Sequence, residues 1–75
     1  MDTIMKYLTI EIQTASDGSV ANLTTVHETR ATAESAFYTV LAAAAISTLP
    51  AHGCVLIDSE GRLLNTACYK NGSLE

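Results

Sequence analysis

Four side chains of this 75-residue chain could act as nucleophiles or as metal ligands: His27, His52, Cys54 and Cys68. They provide four zinc ligands by number, but structural zinc sites usually present closely spaced pairs on turns. The sequence contains no Cys-x-x-Cys and no His-x-x-x-His, so we expect neither a metal nor a cofactor. Both cysteines fall within predicted strands, where a free cysteine is most often a small buried hydrophobic residue.

A nucleophilic pair of a cysteine and a histidine needs an exposed thiol beside an imidazole. His52 lies two residues from Cys54 on the same strand face, but the sequence indicates no third group to orient the imidazole. Nor does a glycine-rich run with lysine lead into a helix, so no phosphate-binding loop is predicted. Four carboxylates lie at predicted turns or strand ends, where solvation or capping is the usual role: Asp17, Glu28, Asp58 and Glu60. We therefore expect a protein that is not an enzyme.

The two cysteines are also a candidate pair with each other. Folding the last two predicted strands about residues 59–61 makes Cys54 and Cys68 near neighbours across a hairpin. Neighbours across a ladder seldom match the geometry of a disulfide, so we expect one only in an oxidised sample. Two cysteines in a chain without an export signal indicate reduced thiols, and hence a cytoplasmic protein.

Composition limits the class of partner. The net charge is −4, and the four basic residues are scattered, so a direct nucleic-acid contact or an anionic membrane surface is not expected. The longest apolar run is well short of the roughly 18 residues that span a bilayer.

With 48% hydrophobic residues, the chain is expected to form one globular domain over residues 1–75, near the size limit for a self-sufficient core. Residues 1–4 read as a dispensable leader before Met5, and residues 74–75 as the remnant of a cloning site before a tag.

Two alternating segments predict a hairpin near the start of the chain. In residues 6–13, Leu8, Ile10 and Ile12 alternate with polar residues, which is typical of a half-buried strand. An Asp-Gly turn at residues 17–18 leads into a second strand over residues 20–28. The length of the turn decides which residues of this strand share the face of Ile12: either Val20 and Val26, or Ala21 and Leu23. We favour Ala21 and Leu23, because Asn22 then points outward.

A helix is predicted over residues 31–49, with Thr29 as N-cap and Pro50 as terminator. Two further strands, at residues 54–58 and 63–69, surround a turn with Gly61 at the left-handed position. The sequence therefore predicts an α+β fold with ββαββ order, in which one helix covers one face of a four-stranded, mostly antiparallel sheet. Strand order is left open. The residues expected to form the core are Leu8, Ile10, Ile12, Leu23, Phe37, Val40, Leu41, Ala44, Val55 and Ile57.

The predicted helix has two apolar stripes. The stripe with the larger side chains, including Phe37, Val40 and Leu41, is expected to pack on the sheet. The opposite stripe, called here the helix stripe, consists of Tyr38, Ala42, Ala45, Ile46 and Leu49 and carries no charge. Alanines are good helix formers, so this stripe could simply be exposed. We favour the alternative that it is a self-association surface, helix against helix, in a homodimer.

Two segments carry a resemblance to a known family. Residues 29–38 together with 41–47, and the later positions Pro50, His52, Val55-Leu56, Glu60-Gly61 and 68–70, are similar to a family of short proteins from gut clostridia and related Firmicutes. The resemblance covers residues 5–70. It implies a small accessory or structural piece of a prophage or other mobile element, and it brings no activity, ligand or catalytic residue.

Three functions are therefore weighed. The leading one is a homo-oligomeric protein–protein interaction module, which the helix stripe suggests. The second is an acidic accessory or inhibitor of a nucleic-acid-binding protein, which would need the acidic residues to cluster on one face or edge of the sheet. The third is a small-ligand or metal binder through His27, His52, Cys54 and Cys68.

Overall fold

The fold is a four-stranded antiparallel sheet with one helix on one face. A computed structural model describes residues 4–71, so the predicted tag remnant and most of the predicted leader lie outside the described part. Along the chain the elements are β1 (Tyr7–Thr14), β2 (Val20–His27), α1 (Arg30–Ala45), β3 (Ala51–Asp58) and β4 (Leu63–Lys70). The strand order is β2-β1-β3-β4, with every neighbouring pair antiparallel. This architecture confirms the predicted α+β class and ββαββ order. Within residues 4–71, no helix has the length and apolar character needed to cross a membrane.

Both hairpin turns are built by an aspartate and a glycine. Between β1 and β2, the Asp17 carboxylate accepts from the Ser19 amide at 2.9 Å, and Gly18 has a φ of 89°. Between β3 and β4, the Asp58 carboxylate accepts from two amides of the turn, and Gly61 has a φ of 88°. A positive φ strains residues that carry a Cβ. The predicted turns, with glycine at the left-handed position, are confirmed.

The helix begins where predicted and ends earlier. The Thr29 hydroxyl accepts from the Thr32 amide at 3.2 Å, which confirms the N-cap. The last helical residue is Ala45, not residue 49. Residues 46–48 (Ile-Ser-Thr) are weaker helix formers than the alanines before them. In addition, the side-chain amide of Asn71 donates to the Ala44 carbonyl at 2.8 Å and so satisfies one of the free acceptors at the helix end.

The third strand is longer than predicted. It begins at Ala51 and so includes His52 and Gly53, which precede the predicted strand at residues 54–58. Because β3 lies between β1 and β4, partners on both sides can accept and donate hydrogen bonds along its whole length. Tertiary pairing thus overrides the weak strand preference of this segment.

The core lies between the helix and strands β1, β3 and β4. Ala33, Phe37 and Ala44 are fully buried on the helix, and Cys54 and Leu56 are buried on β3. Five partly buried residues pack around this cluster: Tyr7, Val40, Leu41, Leu64 and Ala67. The stripe of large side chains on the helix therefore faces the sheet, as predicted.

The facing predicted for β1 and β3 is wrong. Side chains that are directly paired across a ladder share a sheet face. Thr9 pairs with Leu56 and Glu11 with Cys54, so the more polar row of β1 lies on the helix side. Five residues expected in the core lie on the opposite, uncovered face: Leu8, Ile10, Ile12, Val55 and Ile57. Alternation in one strand defines two rows, and only the packing of the helix selects which of them is covered.

The facing predicted for β2 is also wrong. In the observed register, Leu8 pairs with Val26 and Thr14 with Val20, so Val20 and Val26 share the face of Ile12. Leu23 lies on the helix side but is 63% exposed, because the helix packs towards β3 and leaves this edge strand uncovered. The register places Asn22 beside Ile12, although polarity alone had favoured placing Asn22 on the opposite face.

Truncation of Phe37 tests the assignment of the buried helix stripe. Phe37→Ala should lower the free energy of unfolding by about 3–5 kcal/mol, because it leaves a cavity at a fully buried site. Thr39→Ala, at an exposed position of the same helix, should stay within about 0.5 kcal/mol of the wild type. Urea unfolding followed by circular dichroism measures both. Equal stability of the Phe37 variant and the wild type would contradict the assignment.

Candidate functional site

The four residues with reactive or ligating side chains do not come together at one place in the structure. His27 ends β2, where its Nε2 is 3.0 Å from the Thr9 hydroxyl. His52 and Cys54 are buried on the helix side of β3, whereas Cys68 lies exposed on the other face. Among residues 4–71, no group of three or more potential metal ligands comes together. In this part of the chain, the structure therefore contains no assembled site for the metal binding that the sequence left as an alternative.

The expected proximity of the two cysteines does not lead to a bond. Cys54 pairs with Ala67, and Cys68 pairs with Gly53, so the two thiols lie on opposite faces of the sheet. Both are free. Burial, together with the nearby Glu11 carboxylate, raises the pKa of the Cys54 thiol and keeps it in the unreactive, protonated form. Cys54 is the predicted buried thiol, but the prediction was wrong for Cys68.

A hydrogen-bonded pair of the half-buried Glu11 and the buried His52 was not found by sequence analysis. The His52 Nε2 is 2.6 Å from the Glu11 carboxylate, which also accepts from the side-chain amide of Gln13 at 3.0 Å. The His52 side chain is 7% exposed and the Glu11 side chain is 20% exposed. The hydrogen bond from His52 is the main reason why the pKa of Glu11 lies below its usual value. The second ring nitrogen of His52 is buried and, within the described part of the chain, has no hydrogen-bond partner.

A histidine–carboxylate pair can serve catalysis when a nucleophile lies on the free imidazole nitrogen. Here the nearest candidate by position on the strand is Cys54, a buried thiol whose Sγ is directed to the Val55 carbonyl at 3.8 Å. Cys54 belongs to the buried cluster between the helix and the sheet, and His52 is buried on the same face of β3. The geometry supports a structural role, in which the pair satisfies two polar groups on the covered face. No sequence signal could have identified it, because the two residues are 41 positions apart.

The largest unexplained feature is the sheet face that the helix leaves uncovered, called here the open face. Register places its side chains in four rows across the sheet. The first row is entirely branched and apolar: Val26, Leu8, Ile57 and Leu63. The second row is Thr24, Ile10, Val55 and Thr66. The third row is Asn22, Ile12, Gly53 and Cys68, and the fourth is Val20, Thr14, Ala51 and Lys70.

The open face is apolar and almost uncharged. Its outer members Val20, Val26 and Leu63 are 62%, 59% and 60% exposed. Of these sixteen positions, all within residues 4–71, only Lys70 carries a charge. An antiparallel sheet that leaves one face to water normally has polar residues there. Contiguous exposed apolar surface with polar surroundings marks an interaction site.

A hollow lies in the third row of the open face. It has a volume of about 140 Å³, and most of its lining belongs to the open face, including Ile12, Gly53, Val55 and Cys68. Gly53 is its floor. A Cβ at this position would lie 2.6 Å from the Ala67 carbonyl oxygen, so the close approach of β4 requires glycine. The open face is therefore apolar, and this hollow gives it relief.

The helix stripe is the second uncovered apolar surface. Tyr38 is 57% and Ile46 is 86% exposed, and Ala42 and Ala45 are exposed as well, whereas Leu49 is half-buried. Tyr38 leans over the neighbouring strand, where its hydroxyl is 3.4 Å from the side-chain amide of Asn65. The stripe is mostly methyl groups of alanine, so it presents fewer large side chains than the open face.

The acidic residues do not share one face or edge. Glu11 lies under the helix, Asp17 lies in the turn at one end of the sheet, and Glu28 lies at the other end beside Lys6. Arg62 binds both Asp58 and Glu60, at 2.9 and 3.0 Å. Glu28, Asp58 and Glu60 lie at the same end of the sheet, because Tyr7 pairs with both His27 and Asp58, but each of the three forms an ion pair with Lys6 or Arg62. Paired carboxylates give a weak local field. Within residues 4–71, the five acids therefore do not form the single acidic face or edge that would favour an acidic accessory or inhibitor.

Comparison with protein-family models, with curated proteins and with solved structures finds no match for this chain. The surfaces described above are therefore the features of this chain that bear on its function.

The Glu11–His52 pair predicts a loss of stability in acid. Because the pKa of Glu11 is lowered on folding, its contribution is complete above its unfolded pKa of about 4.3 and is lost as the pH falls through the lower folded value. Glu11→Gln should cost about 1–2 kcal/mol at pH 7 and flatten the dependence of stability on pH below about 4.5. Glu28→Gln, at a 74% exposed side chain, should change little. Urea unfolding between pH 3 and 7 measures this, and an unchanged acid slope in Glu11→Gln would contradict it.

Proposed function

We propose that this protein is a small non-enzymatic protein–protein interaction module that acts as a homo-oligomer, most simply a homodimer. The single observation that carries the proposal is the open face, in which four rows of mostly apolar side chains lie uncovered. Burying apolar surface contributes about 25 cal/mol per Å². A chain of 75 residues has a small core, so association would add substantially to its stability.

The absence of an assembled catalytic group among residues 4–71 leaves binding as the better-supported class. His52 and Cys54 are buried on the helix side of β3, and Cys68 lies on the opposite face of the sheet. We also place the protein in the cytoplasm, because its two free cysteines suit a reducing compartment. The resemblance to short clostridial proteins suggests a role in a prophage or other mobile element, and this link stays a prediction.

Two surfaces could carry the self-association. The helix stripe of Tyr38, Ala42, Ala45, Ile46 and Leu49 is the one expected from the sequence, and the open face is the one that presents more large apolar side chains. The proposal of a homo-oligomer holds for either surface. The discriminating variant is Ala45→Glu, which would place like charges face to face if two helix stripes met, and would then give monomers.

Sedimentation velocity of the wild-type chain tests the proposal. At tens of micromolar, at neutral pH and moderate salt, we expect a single species of twice the chain mass of 7.9 kDa. Dilution should shift the distribution towards the monomer if the contact is reversible. A monomer throughout this concentration range would contradict homo-oligomerisation.

A further inference from the structure

We propose that two copies of this chain pack open face to open face as a β-sandwich, related by a two-fold axis that runs parallel to the strands. This inference rests on the proposed homo-oligomer and identifies its contact surface and arrangement. Each open face then becomes one inner layer of a shared core, and the two helices lie on the outside. Three observations support a second copy as the occupant: the charge of the face, its area and its relief.

The charge of the face suits a second copy. The chain has eight acidic residues and a net charge of −4, yet none of the acids between residues 4 and 71 lies in the four rows of the open face. Self-association therefore buries no carboxylate and brings no two acids together. A strongly charged partner would find no complementary group on the face except Lys70, at one corner.

The area of the face is sufficient for a dimer. Four strands spaced about 4.8 Å apart, each with eight residues of about 3.3 Å, cover about 500 Å² in projection. Two such faces bury about 1,000 Å², which reaches the lower limit for a specific interface. Sheets that pack in this way lie about 10 Å apart with their strands nearly aligned.

The order of the rows selects the direction of the axis. An axis parallel to the strands places each row on the same row of the partner, so the apolar first rows meet and the Lys70 rows meet. Lys70, on edge strand β4, then faces the partner's Val20 on β2, far from the second Lys70. An axis perpendicular to the strands would instead place the Lys70 row on the apolar first row, so that the two entirely apolar first rows would no longer cover each other.

The relief of the face agrees with the same axis. Because β1 of one copy then faces β3 of the other, Ile12 lies over the partner's Gly53, which is the floor of the 140 Å³ hollow. The contact fills one hollow in each copy with a branched side chain of the other. Interiors are close-packed, so a hollow that no side chain of its own strand can fill indicates a site for a partner's side chain.

A matched pair of substitutions tests which face is used. Thr24 and Thr25 are neighbours on edge strand β2, and both are exposed, but Thr24 lies on the open face and Thr25 on the helix side. Thr24→Glu should raise the dimer dissociation constant by about 100-fold, because each dimer would then bury two unpaired carboxylates. Thr25→Glu and Ala45→Glu should both remain dimeric in sedimentation velocity.

Charge complementation tests the axis. In the proposed dimer Thr24 faces the partner's Thr66, whereas in one chain the two lie at opposite edges of the sheet, roughly 14 Å apart. Thr66→Lys alone should weaken the dimer like Thr24→Glu. An equimolar mixture of Thr24→Glu and Thr66→Lys chains should recover dimers. Monomers in this mixture, with wild-type circular dichroism for both variants, would overturn the proposed axis.

Cross-linking provides a measurement that does not depend on weakening the dimer. Asn22 faces the partner's Cys68 in the proposed arrangement, so Asn22→Cys should form a covalent dimer with a short bis-maleimide. The wild type, whose two Cys68 residues would lie at opposite edges, and Ala21→Cys, on the helix side, should stay uncross-linked. No covalent dimer of Asn22→Cys would also overturn the arrangement.

The outcomes separate this inference from the proposed function. If the wild type is a dimer that Ala45→Glu dissociates and Thr24→Glu does not, the open-face arrangement is wrong and the homo-oligomer stands. A wild type that stays monomeric at tens of micromolar contradicts both the open-face arrangement and the proposed homo-oligomer.

Discussion

The structure depends on the pairing of β1 with β3 at the centre of the sheet. These two strands are far apart along the chain, and their register aligns eight residues of each without a break. Each hairpin contributes one of them, so this contact joins the two halves of the molecule. It also determines which rows share a face: Leu56 with Thr9, Cys54 with Glu11, and Ile10 with Val55. Once this register exists, the helix can cover only one of the two faces.

Covering one face has a chemical consequence. The helix packs on the β3 row that contains Cys54 and Leu56, and the partner row of β1 brings polar side chains to the same layer. Burying a carboxylate is costly unless it is paired. Glu11 is paired by His52 on β3 and by Gln13 on its own strand, and Thr9 is paired by His27 on β2, so neighbouring polar side chains provide partners for this row. A polar row can therefore lie under the helix, and an apolar row remains for the opposite face.

The open face and the covered face thus have the reverse of the usual composition. The row of Leu8, Ile10 and Ile12 would form a good core, and in the single chain it lies on the uncovered side. A second sheet packed on this row would give the molecule a second core of the ordinary apolar kind. In the proposed dimer, interior and exterior are defined by the pair of chains. This view also accounts for Gly53, whose missing side chain serves the close approach of β4 and leaves room above it.

The sequence by itself determined the elements and their order. Local signals were sufficient for the alternating strands, the two aspartate–glycine turns and the Thr29 cap, because each depends on residues that are adjacent or a few positions apart. The buried helix stripe with Phe37 was likewise readable, since its large side chains repeat with the helical period.

Only the tertiary structure decided which face of each strand the helix covers. A strand's alternation is symmetric with respect to its two faces, and polarity suggested the wrong one for β1 and for β2. The Glu11–His52 pair and the full length of β3 also depend on contacts between distant segments. The physical reason is that burial is decided jointly by paired rows on different strands: a polar row can be covered when its neighbours provide partners, and no single segment contains that information.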